Sequence, residues 1–468
     1  MTSKTLSSLI ILIFINLSLY SQIKGSNEAI VSGIPWFDDN FNTVSAHSAS
    51  IVKYNGKFYL FGEYKSDTTN SFAGFSCYSS TDLTNWKFEK IALLPQKSGL
   101  LGANRVGERA KVLKCPKTGE YVMFMHTDNL DYKDPYIGYA TSSTINGTYT
   151  FQGPLLFDGK PIQRWDMGMF QDTDGSGYLV IHHGSIYKLS DDYKSVVEQT
   201  VKDATDGESP AIFKKNGVYF WLVSNLTGWE RNDNFYYTAT SLAGPWINRG
   251  LFVPKGKLTW NSQTTYVLPI PGSKDTTYMF MGDRWSHPRQ KSAATYVWQP
   301  IAVEGNSLSI PGFKESWNIN VKSGEVFPAN SAKNYIDNTN EIIHYSGKWE
   351  HSKKDNVTLS SSESKGSSFS IAFKGTQIGL YCMAIPIGGY AEISLINANG
   401  DMVVSSTIDL YCKYPVESLK FLSPRLIKGD YTLKVVVLQD KWGWVDKYGE
   451  VSGSNGFEVN LDKIFITD

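Results

Sequence analysis

Gly207-Glu208-Ser209-Pro210-Ala211-Ile212-Phe213, followed by Asn216-Gly217-Val218-Tyr219-Phe220-Trp221, reads as a β-hairpin with a carboxylate at its mouth. A short apolar run, a tight Asn-Gly turn and an aromatic run coming back are the marks of two paired antiparallel strands. The unit recurs four times. His47 leads Ala49-Ser50-Ile51-Val52, the turn Asn55-Gly56 and Phe58-Tyr59-Leu60-Phe61. Glu108 leads Ala110 to Leu113, the turn Thr118-Gly119 and Tyr121 to Phe124. Asp166 leads Met167 to Phe170, the turn Asp174-Gly175 and Tyr178 to Ile181. Gln263 leads Thr265 to Leu268, a Gly-Ser-Lys-Asp loop and Tyr278-Met279-Phe280.

Hairpins spaced roughly every 40–60 residues fall near the period of propeller blades. The innermost strand of each blade lines the central axis, so first residues from several blades can converge on one pocket. Those positions hold His47, Glu108, Asp166, Glu208 and Gln263, all polar, where the strands are otherwise apolar. Each could separately be a solvated strand end; as a set they predict a polar pocket. No long window carries a 3.6-residue apolar period, so few helices are expected. The fold expected is all-β, a five-bladed β-propeller over residues 26–320.

The pattern fades after Tyr296-Val297-Trp298-Gln299-Pro300-Ile301, and residues 321–334 read as a linker. From residue 335 to 468 alternating strands at Ser368–Phe373, Ile378–Tyr381, Ala391–Leu395, Tyr431–Val437 and Leu461–Ile466 predict a β-sandwich. One of its loops, Asp440 to Gly449, clusters Trp442, Trp444 and Tyr448 among polar residues. These rings predict either a sugar-binding platform or a packing role, closing the sandwich core or docking on the propeller.

Lys and Arg number 45 against 45 Asp and Glu, so the chain lacks the basic field that nucleic-acid binding needs. The 13 Trp and 27 Tyr suit sugar rings, whose C–H faces pack on aromatic faces, but β-rich proteins are aromatic-rich anyway. Lys4 and the apolar run Leu9–Leu19 ending at Ser21-Gln22 read as a signal peptide over residues 1–22, which predicts a secreted or periplasmic protein. No other stretch is long and apolar enough to span a bilayer. Cys77, Cys115, Cys382 and Cys412 follow no metal-ligand spacing; they are either buried thiols or, for Cys382 and Cys412, a bridge. No cofactor is expected, and a structural calcium stays open although no dense Asp-x-Asp run argues for it. A monomer is expected.

Glycosidic bond cleavage needs a proton donor at the leaving oxygen and a group that activates water or attacks the anomeric carbon. Glu208 and Asp166, on consecutive hairpins, could form a pair in which Asp166 raises the pKa of the acid Glu208. Glu108 would bind hydroxyls or orient the others. Over roughly residues 30–320 the hairpin order, Arg164-Trp165-Asp166-Met167 and Gly207-Glu208-Ser209-Pro210-Ala211 resemble glycoside hydrolase family 43, five-bladed propellers that invert the anomeric centre. In most of that family the first blade carries an Asp base; here it offers His47. The strings Phe61-Gly62-Glu63, Glu108-Arg109-Ala110-Lys111-Val112, Ser224 to Trp229, Asn261-Ser262-Gln263-Thr264-Thr265 and Met281-Gly282-Asp283-Arg284-Trp285 resemble the exo-β-1,3-galactanase branch, which also lacks that Asp.

The resemblance implies release of galactose from the non-reducing end of β-1,3-galactan, the backbone of type II arabinogalactan. It makes Glu208 the acid and Gln263 the group that positions water, with Glu108 and Asp166 supporting. Glu63, His47, Arg109, Tyr132, Thr227, Trp229 and Trp285 would line the sugar site. Two alternatives stay open for the base side, Gln263 or Glu108. Arg109 is also open, because neighbouring strand residues usually face opposite sides. The C-terminal sandwich resembles the galactose-binding-like domains appended to such enzymes. Competing activities are α-L-arabinofuranosidase or β-xylosidase on the same propeller, or a non-catalytic glycan-binding propeller.

Overall fold

The computed structural model describes residues 27–330, 334–354, 357–446 and 449–468. The apolar run Leu9–Leu19 read as an export signal lies outside them. The described residues fold as a β-propeller followed by a β-sandwich region. Among them the one helical segment is a four-residue turn, Leu258–Asn261, and no helix is long and apolar enough to cross a membrane.

Four of the propeller sheets are four-stranded meanders. The first runs His47–Tyr54, Lys57–Glu63, Phe75–Ser80 and Lys87–Leu93, and the second Arg105–Lys114, Tyr121–Asn129, Tyr136–Ser142 and Thr150–Pro154. Another runs Glu208–Lys215, Val218–Ser224, Phe235–Ala239 and Ile247–Leu251, and the last Gln263–Pro271, Thr276–Arg284, Thr295–Glu304 and Ser307–Ser309. The turns Asn55-Gly56 (φ 47 and 75°) and Asn216-Gly217 (φ 51 and 80°) put both central residues in the left-handed region, which matches the twist of a two-residue hairpin.

The sheet that starts at Met167–Gln171 departs from the four-strand expectation. It has six strands, because the incoming chain adds Leu156–Phe157 and Lys160–Pro161 at its edge. Asp158-Gly159 supplies the turn, and Phe157 pairs in parallel with Val196.

The first strands of these sheets neighbour one another in a closed ring, and each seam between sheets has its own apolar cluster. The seam between the first and last sheets is clasped by a separate small sheet. Ile30–Val31 pairs with Ser316–Ile319, and that strand with Val326–Pro328, inside the stretch read as a linker. Ile30 and Trp317 are buried, and the Trp317 indole N–H donates to the Trp298 carbonyl at 2.9 Å.

In the sandwich a four-stranded sheet ordered Ile336–Asp337, Lys463–Thr467, Gln377–Ala384, Val416–Leu422 faces a five-stranded one ordered Ile343–Ser346, Ser368–Gly375, Gly429–Val437, Tyr390–Asn397, Met402–Asp409. Phe369, Ile371, Leu380, Ile393, Leu433 and Val435 alternate inward between them, as a sandwich core requires. All four cysteines are free and buried, so Cys382 and Cys412 are thiols and form no bridge.

The sandwich grips the propeller through one of the two uses expected for its aromatic loop. Trp442 is fully buried, stacks on Tyr411 at 5.4 Å and donates its indole N–H to the Trp285 carbonyl at 3.1 Å. The Arg231 guanidinium lies over both rings, 4.9 Å from Trp442 and 5.3 Å from Tyr411. Trp442→Ala would leave a large cavity at this joint and is expected to cost about 3–5 kcal/mol, read as a lower urea midpoint by fluorescence.

Candidate active site

The first strands bring their leading residues to one end of the ring, where a cavity of about 750 Å³ is lined by Glu63, Glu108, Arg109, Tyr132, Asp166, Glu208, Thr227, Trp229, Gln263 and Trp285. A repeated local distortion aims them. The register slips after His47, Glu108 and Glu208, and Ser48, Arg109 and Ser209 take φ of 48, 58 and 57°. Such bulges re-aim side chains at a strand end. The bulge overrides simple alternation, so Glu108 and Arg109 both face the cavity. His47 does not line it. Ser48 does, while the fully buried His47 ring stacks on Tyr296 at 4.9 Å and sets its Nδ1 3.4 Å from Asp283.

Arg109 is the hub. Its Nε lies 2.8 Å from Asp166 Oδ1, its Nη2 donates to Gln263 Oε1 at 3.0 Å, and its backbone N–H donates to Glu63 Oε1 at 2.8 Å. The Ser209 backbone N–H and hydroxyl donate to the other Asp166 oxygen at 3.1 and 3.2 Å. Glu208 instead accepts from a neutral donor, the Gln263 amide at 3.0 Å.

This asymmetry separates the two carboxyls. Burial, then the Asp166 charge, pushes Glu208 well above the usual carboxylate range. Burial also works to raise Asp166, but Arg109 overrides it and holds Asp166 below its ordinary value. Asp166 is therefore the anion and Glu208 the group that keeps a proton near neutral pH, the separation a paired acid site needs.

Glu108, within 4.8 Å of Asp166, is also ionised. Burial opposes this, yet His126, Lys65 and the Tyr132 hydroxyl hold it well below the usual range. Tyr132 donates to Glu108 Oε1 at 2.7 Å, and His126 Nδ1 lies 3.3 Å from Oε2. His126 is itself pushed up to about 9: burial lowers it, but Asp128 and Glu108 outweigh that.

Gln263 has no spare valence. Its carbonyl accepts from Arg109 and, at 2.9 Å, from the Trp285 indole, while its amide donates to Glu208 and, at 3.2 Å, to Ser224. It is delivered by the turn Leu258–Asn261, whose four residues have φ of 50, 51, 55 and 58°. Left-handed backbone costs roughly 1–2 kcal/mol per residue for L-amino acids. Asp233 accepts from the Leu258 N–H, and Arg284 donates to the Trp260 and Asn261 carbonyls, which pins the turn.

Glu108, His126 and Asp166 place potential ligand atoms within 4.8 Å of one another. Each is already committed, and a cation among them would face the Arg109 guanidinium. The donor set fits an ion-paired network better than a metal centre.

Lys65, His126, Trp165, His182, His183 and Trp444 also belong to the site or its wall and were not among the residues expected there. A usable signal existed for two of them. The register sets His126 opposite Glu108, and the His182 N–H donates to the Asp166 carbonyl, so counting back through each turn reaches both.

The model of glycosyl hydrolases family 43 matches residues 40–255. A Bifidobacterium bifidum structure assigned as an exo-β-1,3-galactanase is 37% identical, with 60% of this chain and 95% of that one covered and a TM-score of 0.56. The chain belongs to glycosyl hydrolase family 43. Within that family the exo-β-1,3-galactanase of Phanerochaete chrysosporium, solved with galactose, is 28% identical over 93% of this chain and 99% of its own (TM-score 0.65). The exo-β-1,3-galactanase from Clostridium thermocellum is 26% identical over 73% and 86% (TM-score 0.59). No curated protein sequence matches.

Proposed function

We propose that this family 43 glycoside hydrolase is an exo-acting, inverting β-1,3-galactanase that releases galactose from the non-reducing end of β-1,3-galactan. One observation carries the reading: a carboxyl kept protonated by burial and a neighbouring anion, Glu208, shares a pocket with an ionised one, Glu108. The relatives named above, two of them spanning most of this chain, support the substrate.

Glu208 donates its proton to the glycosidic oxygen, and Asp166 keeps that proton in place. Glu108 is the anion that draws the proton of the attacking water. For Gln263 to align that water it exchanges one of its four hydrogen bonds when the sugar enters; until then it holds Glu208 and Arg109 in register. Glu63, Arg109, Tyr132, Thr227, Trp229 and Trp285 line the sugar site, and His47 sits against Asp283 behind it.

We read the ring as a five-bladed propeller over residues 26–320, joined through 321–334 to a carbohydrate-binding-like domain over 335–468. The chain is exported by a signal peptide over residues 1–22, is secreted or periplasmic, and works as a monomer on arabinogalactan.

The test is product release from β-1,3-galactobiose, β-1,3-galactan and an arabinoxylan. Galactose from the first two alone is the expected result. Arabinose or xylose would move the assignment to an arabinofuranosidase or β-xylosidase, and binding of galactan with no sugar released would make the propeller a lectin.

A further inference from the structure

We infer that the sandwich hairpin Gly443–Val445 and Val451–Gly453 is part of the catalytic pocket, with Trp444 as the platform for the leaving sugar, the second galactose of the chain. The inference rests on the galactanase reading above and names a subsite within it.

The hairpin is fixed to the propeller at the root of a cavity residue. The Gly443 N–H donates to the His287 carbonyl at 3.1 Å, and His287 Nδ1 meets the Gly443 carbonyl at 2.8 Å. The neighbouring Trp442 bonds the Trp285 carbonyl, as described. Trp444 packs at the edge of the buried cluster of Tyr390, Tyr411 and Trp442. It is half-buried and lines the cavity beside Val445, a residue 59% exposed. Leu226, which also lines the cavity, is 54% exposed. Large apolar groups left open at the rim of a polar cavity are surfaces awaiting a ligand.

Gly228 shows that the indole's place is reserved. A Cβ there would overlap Cη2 and Cζ3 of Trp444, and its φ of 56° is one that glycine adopts at no cost. The ring therefore lies against the backbone of residue 228. The residue before it, Thr227, has its backbone beside the Glu208 carboxyl.

This adjacency sets the direction. The acid must face the glycosidic oxygen, so the sugar beyond that oxygen is the one that leaves. Glu108 and Tyr132 belong to the opposite side, with the terminal sugar. Trp444 stands on the acid's side, offering an indole face to the C–H face of the departing galactose. The second domain would then act at the bond being cut, as a wall of the site.

The experiment uses the full chain, with Trp444→Ala and Trp444→Phe, on β-1,3-galactotriose and β-galactosyl fluoride. The fluoride occupies only the terminal subsite, because its leaving group is one atom. Trp444→Ala is expected to lower kcat/KM on galactotriose about tenfold, mainly through KM, and to exceed its loss on the fluoride by about that factor. Trp444→Phe restores most of it by restoring a flat apolar face. Equal losses on both substrates, or none on galactotriose, would overturn the inference and leave the galactanase reading intact. A wild type that releases no galactose from galactotriose would overturn both.

Discussion

Glu208→Gln lowers kcat/KM on β-1,3-galactotriose by about 10²–10⁴-fold, the range of a lost general acid. The substitution keeps the shape of the side chain and removes the proton. Galactose is a poor leaving group and needs that proton; fluoride needs far less help. The same variant therefore loses much less on β-galactosyl fluoride, a contrast that misfolding would not produce. The pH profile supplies a second reading. Because burial and Asp166 raise the Glu208 carboxyl, wild-type kcat/KM falls as pH climbs through that raised value and the donor ionises. The limb disappears in Glu208→Gln. Asp166→Asn removes the anion that helps hold the proton, and moves the limb to lower pH. An unchanged limb in Glu208→Gln would assign the acid to another group, and an unchanged limb in Asp166→Asn would leave burial as what holds the proton.

Arg109→Met is expected to cost about 3–5 kcal/mol of stability, because it strands the Asp166 carboxylate in the protein interior without its cation. Arg109 is only 6% exposed, and its three partners come from strands of two sheets and the segment leading into a third. Activity falls with it, since Gln263 loses the donor that fixes its carbonyl and Glu208 loses its aligned partner. Arg109→Lys is a poor substitute: an ammonium cannot span Asp166 and Gln263 as the planar fork does. Adding Asp166→Asn to Arg109→Met recovers part of the stability, because no charge is then left unpaired. Urea denaturation of the two variants measures this directly. A double variant no more stable than Arg109→Met would show that the charge pair is not what the single change disturbs.

The strand mouths were legible because their signals are local. An Asn-Gly turn fixes where a hairpin reverses, and the residue that opens the strand follows from counting back. Glu108, Asp166, Glu208 and Gln263 reach one cavity for that reason. Arg109 was left open because alternation points it away from Glu108, and the bulge that turns it inward has no signature in the side chains themselves. The edge strands at Leu156–Phe157 and Lys160–Pro161 were missed for the opposite reason: two residues are too few to show a period. Trp444 was ambiguous in a different way. A polar loop with three aromatics looks the same whether it faces solvent or a neighbouring domain, and the sequence separation from Gly228 hides the contact that decides it.

The clasp between Ile30–Val31 and Ser316–Ile319 bears on the order in which the protein is made. The first described strand has its partner almost three hundred residues downstream, beyond the last propeller sheet. As the chain emerges, successive hairpins can pair as soon as each is complete, since their contacts are local. Ile30 and Val31 cannot. They wait, unpaired, until Trp317 has been synthesised. A chain interrupted before that residue would leave the Ile30–Val31 edge unclaimed beside a seam without its clasp, open to a second incomplete copy.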